Sequence, residues 1–194
     1  MSTSDHIAPS DHPPPRAAPR RLPAVIGLVL LLCLPAIFIV RVYQAKNLHL
    51  LGPGDPVPAL TARDLTSNQI RHFSFTDTPA ALLFFSADCP HCQREIANFD
   101  RLSKRFGDRI VFLAISTSDK RRTTDLINSD RLQVNTLLDE GKIGQEGFGV
   151  DVVPALFLIG NDGTIAYSSS GEKTFAAREQ LLLEFTHSIR SPRN

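Results

Sequence analysis

The chain has 194 residues, 42% of them apolar and 21% charged, which is enough for one domain with a real core plus accessory segments. Three of its 21 basic and two of its 20 acidic residues fall within residues 1–21, so residues 22–194 carry eighteen of each. A neutral domain without a basic run gives nucleic acid no electrostatic hold, and that class is set aside.

Residues 1–21 are rich in proline and polar groups, including Pro13-Pro14-Pro15 and Pro19. Such a stretch buries too little apolar surface to offset its ordering entropy and is expected to be a disordered cytoplasmic tail. Leu22 to Val40 follows as 19 residues without a charge, LPAVIGLVLLLCLPAIFIV, long enough to cross a bilayer as a helix. Pro23 stands at its start, and Pro35 inside it is tolerated in a membrane helix. A core helix of this length would show a polar face. A cleaved signal peptide is the stronger rival, because Arg20 and Arg21 resemble a basic leader. The run is longer than a usual leader core, however, and no clear A-x-A site follows, which favours an uncleaved anchor. Arg16, Arg20 and Arg21 precede the span, against Arg41 and Lys46 after it. This bias orients the N-terminus to the cytoplasm and the rest to the periplasmic or extracellular side. Cys33 is then a small apolar residue in lipid.

Residues 41–51 read as a tether, and Gly52-Pro53-Gly54 with Pro56 and Pro58 marks the entry to a domain spanning 52–194. Ile70, His72, Phe73 and Phe75 suggest an early strand. Ala80 to Phe85, AALLFF, has the continuous apolar character of a strand buried on both faces. Ile96, Phe99, Leu102 and Phe106 recur at helical spacing, so Cys89 opens an amphipathic helix of about four turns. Arg109 to Ser116 is a second buried strand. A polar, helical region leads to a short strand at Leu137 and Leu138. Val152 to Ile159 and Thr164 to Tyr167 flank Gly160-Asn161-Asp162-Gly163 as a hairpin. Phe175 to Ile189 closes the chain as a helix. This order describes an α/β layer structure with a mixed central sheet flanked by helices.

The chemistry concentrates at Cys89-Pro90-His91-Cys92. A thiolate attacks a disulfide, so a lowered pKa is the first requirement, and a helix N-terminus supplies it. Cys92, one turn on, is within reach to resolve a mixed disulfide. Pro90 fixes φ in the first turn at little cost. His91 adds positive charge or a donor beside the sulfur. Asp88 opposes this, unless its carboxylate is occupied capping the helix. Zinc would need further ligands, and no second Cys-x-x-Cys or His-x-His follows, so no metal is expected. Nor do two cysteines three apart make a structural disulfide framework.

The stretch from Gly52 to Ile189 resembles the TlpA/ResA group of membrane-tethered thioredoxin-like proteins. The likeness rests on Gly54-Asp55-Pro56-Val57-Pro58, on LLFFSADCPHCQREI at Leu82 to Ile96, and on VVPALFLIGNDGTI at Val152 to Ile165. It implies a thioredoxin-like fold and a thiol–disulfide oxidoreductase needing no cofactor beyond its redox-active Cys89–Cys92 disulfide. The implied partners are exported protein thiols and disulfides, a membrane electron donor and the bilayer. It further implies that Pro154 follows a cis bond and faces the site, with the backbone at Val153 free to meet an extended substrate. Three departures accompany the likeness. Asp88 replaces the family's usual Trp. Leu83 stands where thioredoxin buries an Asp. The Pro-His dipeptide resembles the oxidant DsbA, although the 61 residues between Cys92 and Pro154 are too few for that protein's helical insertion. Opposed effects of His91 and Asp88 lead to an expected potential of roughly −180 to −250 mV, and the resemblance implies reduction as the favoured direction.

Two rivals share the fold. A peroxiredoxin-like peroxidase has Ser or Thr three residues before its cysteine, where Ser86 stands, but Leu82 replaces its proline. A copper-delivery protein of the SCO type separates its cysteines by three residues and adds a distant histidine. His187 is the only late histidine here, and it reads as a surface residue.

Overall fold

Six consecutive apolar residues at Ala80–Phe85 leave no polar side to turn towards water, and all six are buried. This strand, β3, therefore has a layer on each face. In the computed structural model, which describes residues 50–190, Ala81, Leu83 and Phe85 join one apolar cluster while Ala80, Leu82 and Phe84 join another. The period-two alternation of a strand divides the run between the two sides. The expected tail, span and Cys33 lie outside the described residues, as does most of the tether. Among the described residues no helix is long and apolar enough to cross a membrane.

Seven strands form one mixed sheet in the order β2-β1-β5-β4-β3-β6-β7. They are β1 (Leu60–Asp64), β2 (Ile70–Phe73), β3, β4 (Val111–Ser116), β5 (Thr136–Leu138), β6 (Ala155–Ile159) and β7 (Ile165–Ser170). β3 runs parallel to β4 and antiparallel to β6. The helices are α1 (Pro90–Phe106), α2 (Lys120–Ser129), α3 (Ile143–Gly147) and α4 (Phe175–Arg190). This is the thioredoxin-like α/β arrangement expected, with β1 and α3 in addition.

Ile96, Phe99, Leu102 and Phe106 of α1 pack on the first cluster with Leu182 and Phe185 of α4. The guanidinium of Arg101 lies 4.1 Å from the Phe175 ring centre, and Arg105 pairs with Glu179, which seats the two helices together. On the opposite face Phe84, Phe148 and Phe157 form an aromatic trio with centroids 5.1–5.8 Å apart.

Several boundaries differ from expectation. β4 begins at Val111, because Arg109 and Ile110 still bond back to Phe106 in the turn that ends α1. Val152 to Pro154 lie outside the ladder, which starts at Ala155 opposite Ser170. β7 runs on through three serines to Ser170, sustained by pairing to β6 rather than by apolar content. β1, with its LTARD sequence, alternates buried and half-buried positions that are hard to distinguish from a loop in so short a run.

Candidate active site: a dithiol on the first turn of a helix

The segment between β3 and α1 is pinned before the cysteines are reached. The Ala87 N–H donates to Ser118 Oγ at 2.9 Å, and Ser86 Oγ lies 3.1 Å from the same oxygen. Gln93 Nε2 donates back to the Ala87 carbonyl at 2.8 Å. Cys89 is the residue that caps α1, in extended conformation, with Pro90 in the first helical position. The terminal N–H groups are thereby turned towards its sulfur.

The two thiols, both free, differ sharply. Cys89 is partly buried, and burial pushes its thiol up. That is outweighed by hydrogen bonds from the Cys92 thiol and from the Cys92 and His91 N–H groups, together with the charge of Arg94, so the net direction is down. Cys92 is fully buried. Burial pushes its thiol up to about 12, with the Ser86 backbone opposing and Cys89 and Glu95 adding to the rise. Of the two sulfurs, the more accessible one therefore ionises first as pH rises.

The surroundings correct two expectations. Asp88 does not cap α1, since no side chain caps that helix. Its carboxylate instead meets Arg122 of α2 at 2.6 Å, on the surface, which neutralises the charge expected to oppose the thiolate. His91 reaches Cys89 through its backbone N–H, while its ring is held elsewhere: Nδ1 stands 2.8 Å from Glu172 Oε2 and 3.0 Å from Arg94 Nη2.

The Val153–Pro154 bond is cis. Pro154 is buried, and its carbonyl accepts from the Gly171 N–H at 2.7 Å. Val153 is partly buried and packs on the same cluster as Cys89. A groove of about 850 Å3 is lined by His91 and Arg94 on one side, by Val152, Val153 and Pro154, and by Gly171 to Thr174. His187 is exposed on α4, and no group of three His, Cys, Asp or Glu residues able to hold a metal occurs among the described residues.

Sequence reasoning missed four residues. Glu95 and Arg178 form a buried pair, Nε to Oε1 at 2.5 Å, with Glu95 three residues after the second cysteine on α1. Glu95 also accepts from the Lys173 N–H, and Arg178 also reaches Ser169 and the Gly171 carbonyl. Arg94 and Glu172 form the outer pair. Arg94 follows His91 by three positions, so helical spacing places both on one face of α1. Glu172 lies 78 residues further on, and no local signal links it to the helix.

A dithiol at a helix start, one sulfur partly accessible and activated and the other buried, on this sheet, defines a thioredoxin-fold oxidoreductase of the TlpA/ResA type. The chain belongs to the AhpC/TSA family, whose model matches residues 53–168. It is similar to the thiol-disulfide oxidoreductase ResA of Bacillus thuringiensis, with 23% identity over 135 residues covering 69% of this chain and 78% of that one. Among solved structures it resembles a thiol:disulfide interchange protein DsbE of Chlorobium tepidum (18% identity, TM-score 0.64, 70% of this chain and 99% of the other). It also resembles the peroxidoxin BcpB of Mycobacterium tuberculosis (26% identity, TM-score 0.62, 73% and 99%).

Proposed function

We propose that the chain is a membrane-anchored thiol–disulfide oxidoreductase that reduces disulfides of exported proteins outside the cytoplasm. The asymmetry of the two thiols carries this reading. The Cys89 thiolate attacks one sulfur of a client disulfide and expels the other as a thiolate, which takes up a proton. Cys92 then loses its proton, attacks the Cys89 sulfur and releases the second client thiolate. The client gains two electrons and the Cys89–Cys92 disulfide remains, to be reduced again by a membrane dithiol donor.

The first step prepares the second. While Cys89 is a thiolate, its charge and hydrogen bond help hold Cys92 protonated. Both influences disappear when Cys89 enters the mixed disulfide, so Cys92 becomes easier to ionise when it is needed. The groove beside Pro154 suits an extended client segment, with the backbone at Val153 outside the β6–β7 ladder.

Location rests on the 19-residue apolar run at 22–40 and its flanking charges. Reagents that cannot cross the membrane should alkylate Cys89 in intact cells, and labelling confined to the cytoplasm would refute the exported site. The reduction reading is tested by incubating the dithiol form with oxidised insulin. Precipitation of the reduced chains supports it, and no turnover sinks it.

The likeness to a peroxidoxin and the presence of Ser86 favour a second reading, peroxide reduction by Cys89. Ser86 Oγ is engaged with Ser118 Oγ and accepts from the Asp88 N–H at 3.4 Å. Hydrogen peroxide consumption with a dithiol donor separates the two readings.

A further inference from the structure

The outer pair of charged residues lines the groove beside the first turns of α1 and contributes in a different way from the buried pair. Arg94 grips Glu172 with two bonds of 2.7 Å, Nε to Oε1 and Nη2 to Oε2. A guanidinium held fork to fork is fixed in direction as well as in place. His91 Nδ1 closes the triangle at 2.8 Å from Oε2. Glu172 belongs to the segment between β7 and α4, so the three residues tie the first turns of α1 to the opposite wall of the groove. The side chains of Arg94 and Glu172 are 56% and 27% exposed, and a pair so open to solvent does little for stability. The position matters for another reason: Arg94 is the cation whose field favours the Cys89 thiolate.

We propose that Glu172 is a positioning residue for thiol–disulfide exchange, latching Arg94 and His91 to the groove wall and so limiting how strongly Arg94 stabilises the Cys89 thiolate. The inference rests on the exchange reading of the cysteine pair. It supplies the opposing charge that the sequence alone attributes to Asp88, which Arg122 has already neutralised. The remaining charged groups at this wall are Lys173, which lines the same groove, and Glu95, which is saturated by Arg178 and the Lys173 N–H. The Glu172 carboxylate is held down to about 2 by Arg94 first and His91 second, so it is fully ionised wherever the enzyme would work.

Glu172→Gln keeps an acceptor for Arg94 and removes the charge. Two quantities should be measured on the full chain: the pH profile of Cys89 alkylation by iodoacetamide, and the equilibrium of the cysteine pair with glutathione. Glu172→Gln should lower the apparent pKa of Cys89. It should also move the glutathione equilibrium about three- to tenfold towards the dithiol, which is roughly 15–30 mV more oxidising for a two-electron couple. Arg94→Gln should move both in the opposite sense. Adding Glu172→Gln to Arg94→Gln should produce less than half the change it produces alone, because the latch acts through Arg94. No change in Glu172→Gln, a change of opposite sign, or an equal change in both backgrounds overturns the proposal. If the wild-type pair does not equilibrate with glutathione at all, the exchange reading fails, while the alkylation profiles still decide the latch.

Discussion

The first two turns of α1 have an inner and an outer face, and the same chemistry behaves differently on each. Inside stand Cys92 and Glu95, both buried; outside stand His91 and Arg94, both exposed. Each face carries an ion pair to the segment that opens α4, Glu95 to Arg178 inside and Arg94 to Glu172 outside. The inner pair replaces water with protein partners on nearly every polar atom, so losing one member strands a charge. The outer pair keeps water beside it and acts through its field. Burial decides whether a charge holds the fold or tunes the sulfur.

The comparison breaks most visibly at Arg178. Arg178→Ala leaves Glu95 buried without its counter-ion and should cost about 3–5 kcal/mol, seen as a large fall in the urea midpoint. Arg94→Gln should leave that midpoint nearly unchanged while slowing Cys89 alkylation near neutral pH. Equal destabilisation by both would erase the distinction between the faces.

The thiols give the next largest effect. Cys92→Ser should accumulate mixed disulfides between Cys89 and client proteins, and Cys89→Ser should not. Traps that form on Cys92 would reverse the roles.

Titration sharpens the same contrast at both ends of the pH scale. The Cys92 thiol is raised in the folded chain, so its contribution is complete below about 9 and is lost as pH rises towards about 12. Cys92→Ala should therefore flatten the alkaline fall in the unfolding midpoint. Glu172 is depressed, so its contribution is present above the ordinary carboxylate range and is lost only as pH falls from about 4.5 towards about 2. The Cys89 alkylation rate should therefore show no step from Glu172 itself above about pH 5.

The smallest change is expected at Arg122, whose bond to Asp88 is exposed on both sides. Arg122→Ala should leave stability within the scatter of ordinary surface substitutions and raise the apparent pKa of Cys89 slightly, by freeing the Asp88 carboxylate. A large loss of folding would show that this pair behaves like the inner one.

The sequence was most legible where one local pattern sufficed. AALLFF can be satisfied only by a strand with cover on both faces, and the apolar spacing from Ile96 to Phe106 admits only a helix facing one of those layers. The Cys-Pro-His-Cys run at their junction then locates the site. What stayed hidden depends on chain returning from far away. Glu172 and Arg178 reach α1 from about eighty residues on, and nothing in Arg94 or Glu95 names its partner. Asp88 shows the converse: its nearness in sequence to Cys89 suggested an electrostatic role, but Arg122 takes that carboxylate on the surface. The short β1 and α3 escaped for a different reason. α3 is held by Asp139, which accepts from the Gly144 and Gln145 N–H groups, a tertiary cap on a five-residue helix with little intrinsic tendency to form.

The pairing of β3 with β6 has a consequence for how the protein is made. Ala80 lies opposite Ile159, so the central ladder joins segments nearly eighty residues apart, whereas β3 and β4 need only α1 between them. Contacts that close long loops form against a larger entropy cost and tend to come late. The β3–α1–β4 unit, with both cysteines aboard, is complete at Ser116, when Pro154, Glu172 and Arg178 have yet to be translated. A nascent chain thus carries its dithiol before it has the far wall of the groove or the Glu172 carboxylate that pairs with Arg94. Alkylation of Cys89 in chains arrested near residue 150 would report the sulfur without these neighbours, and comparison with the finished chain would measure what the late strands add.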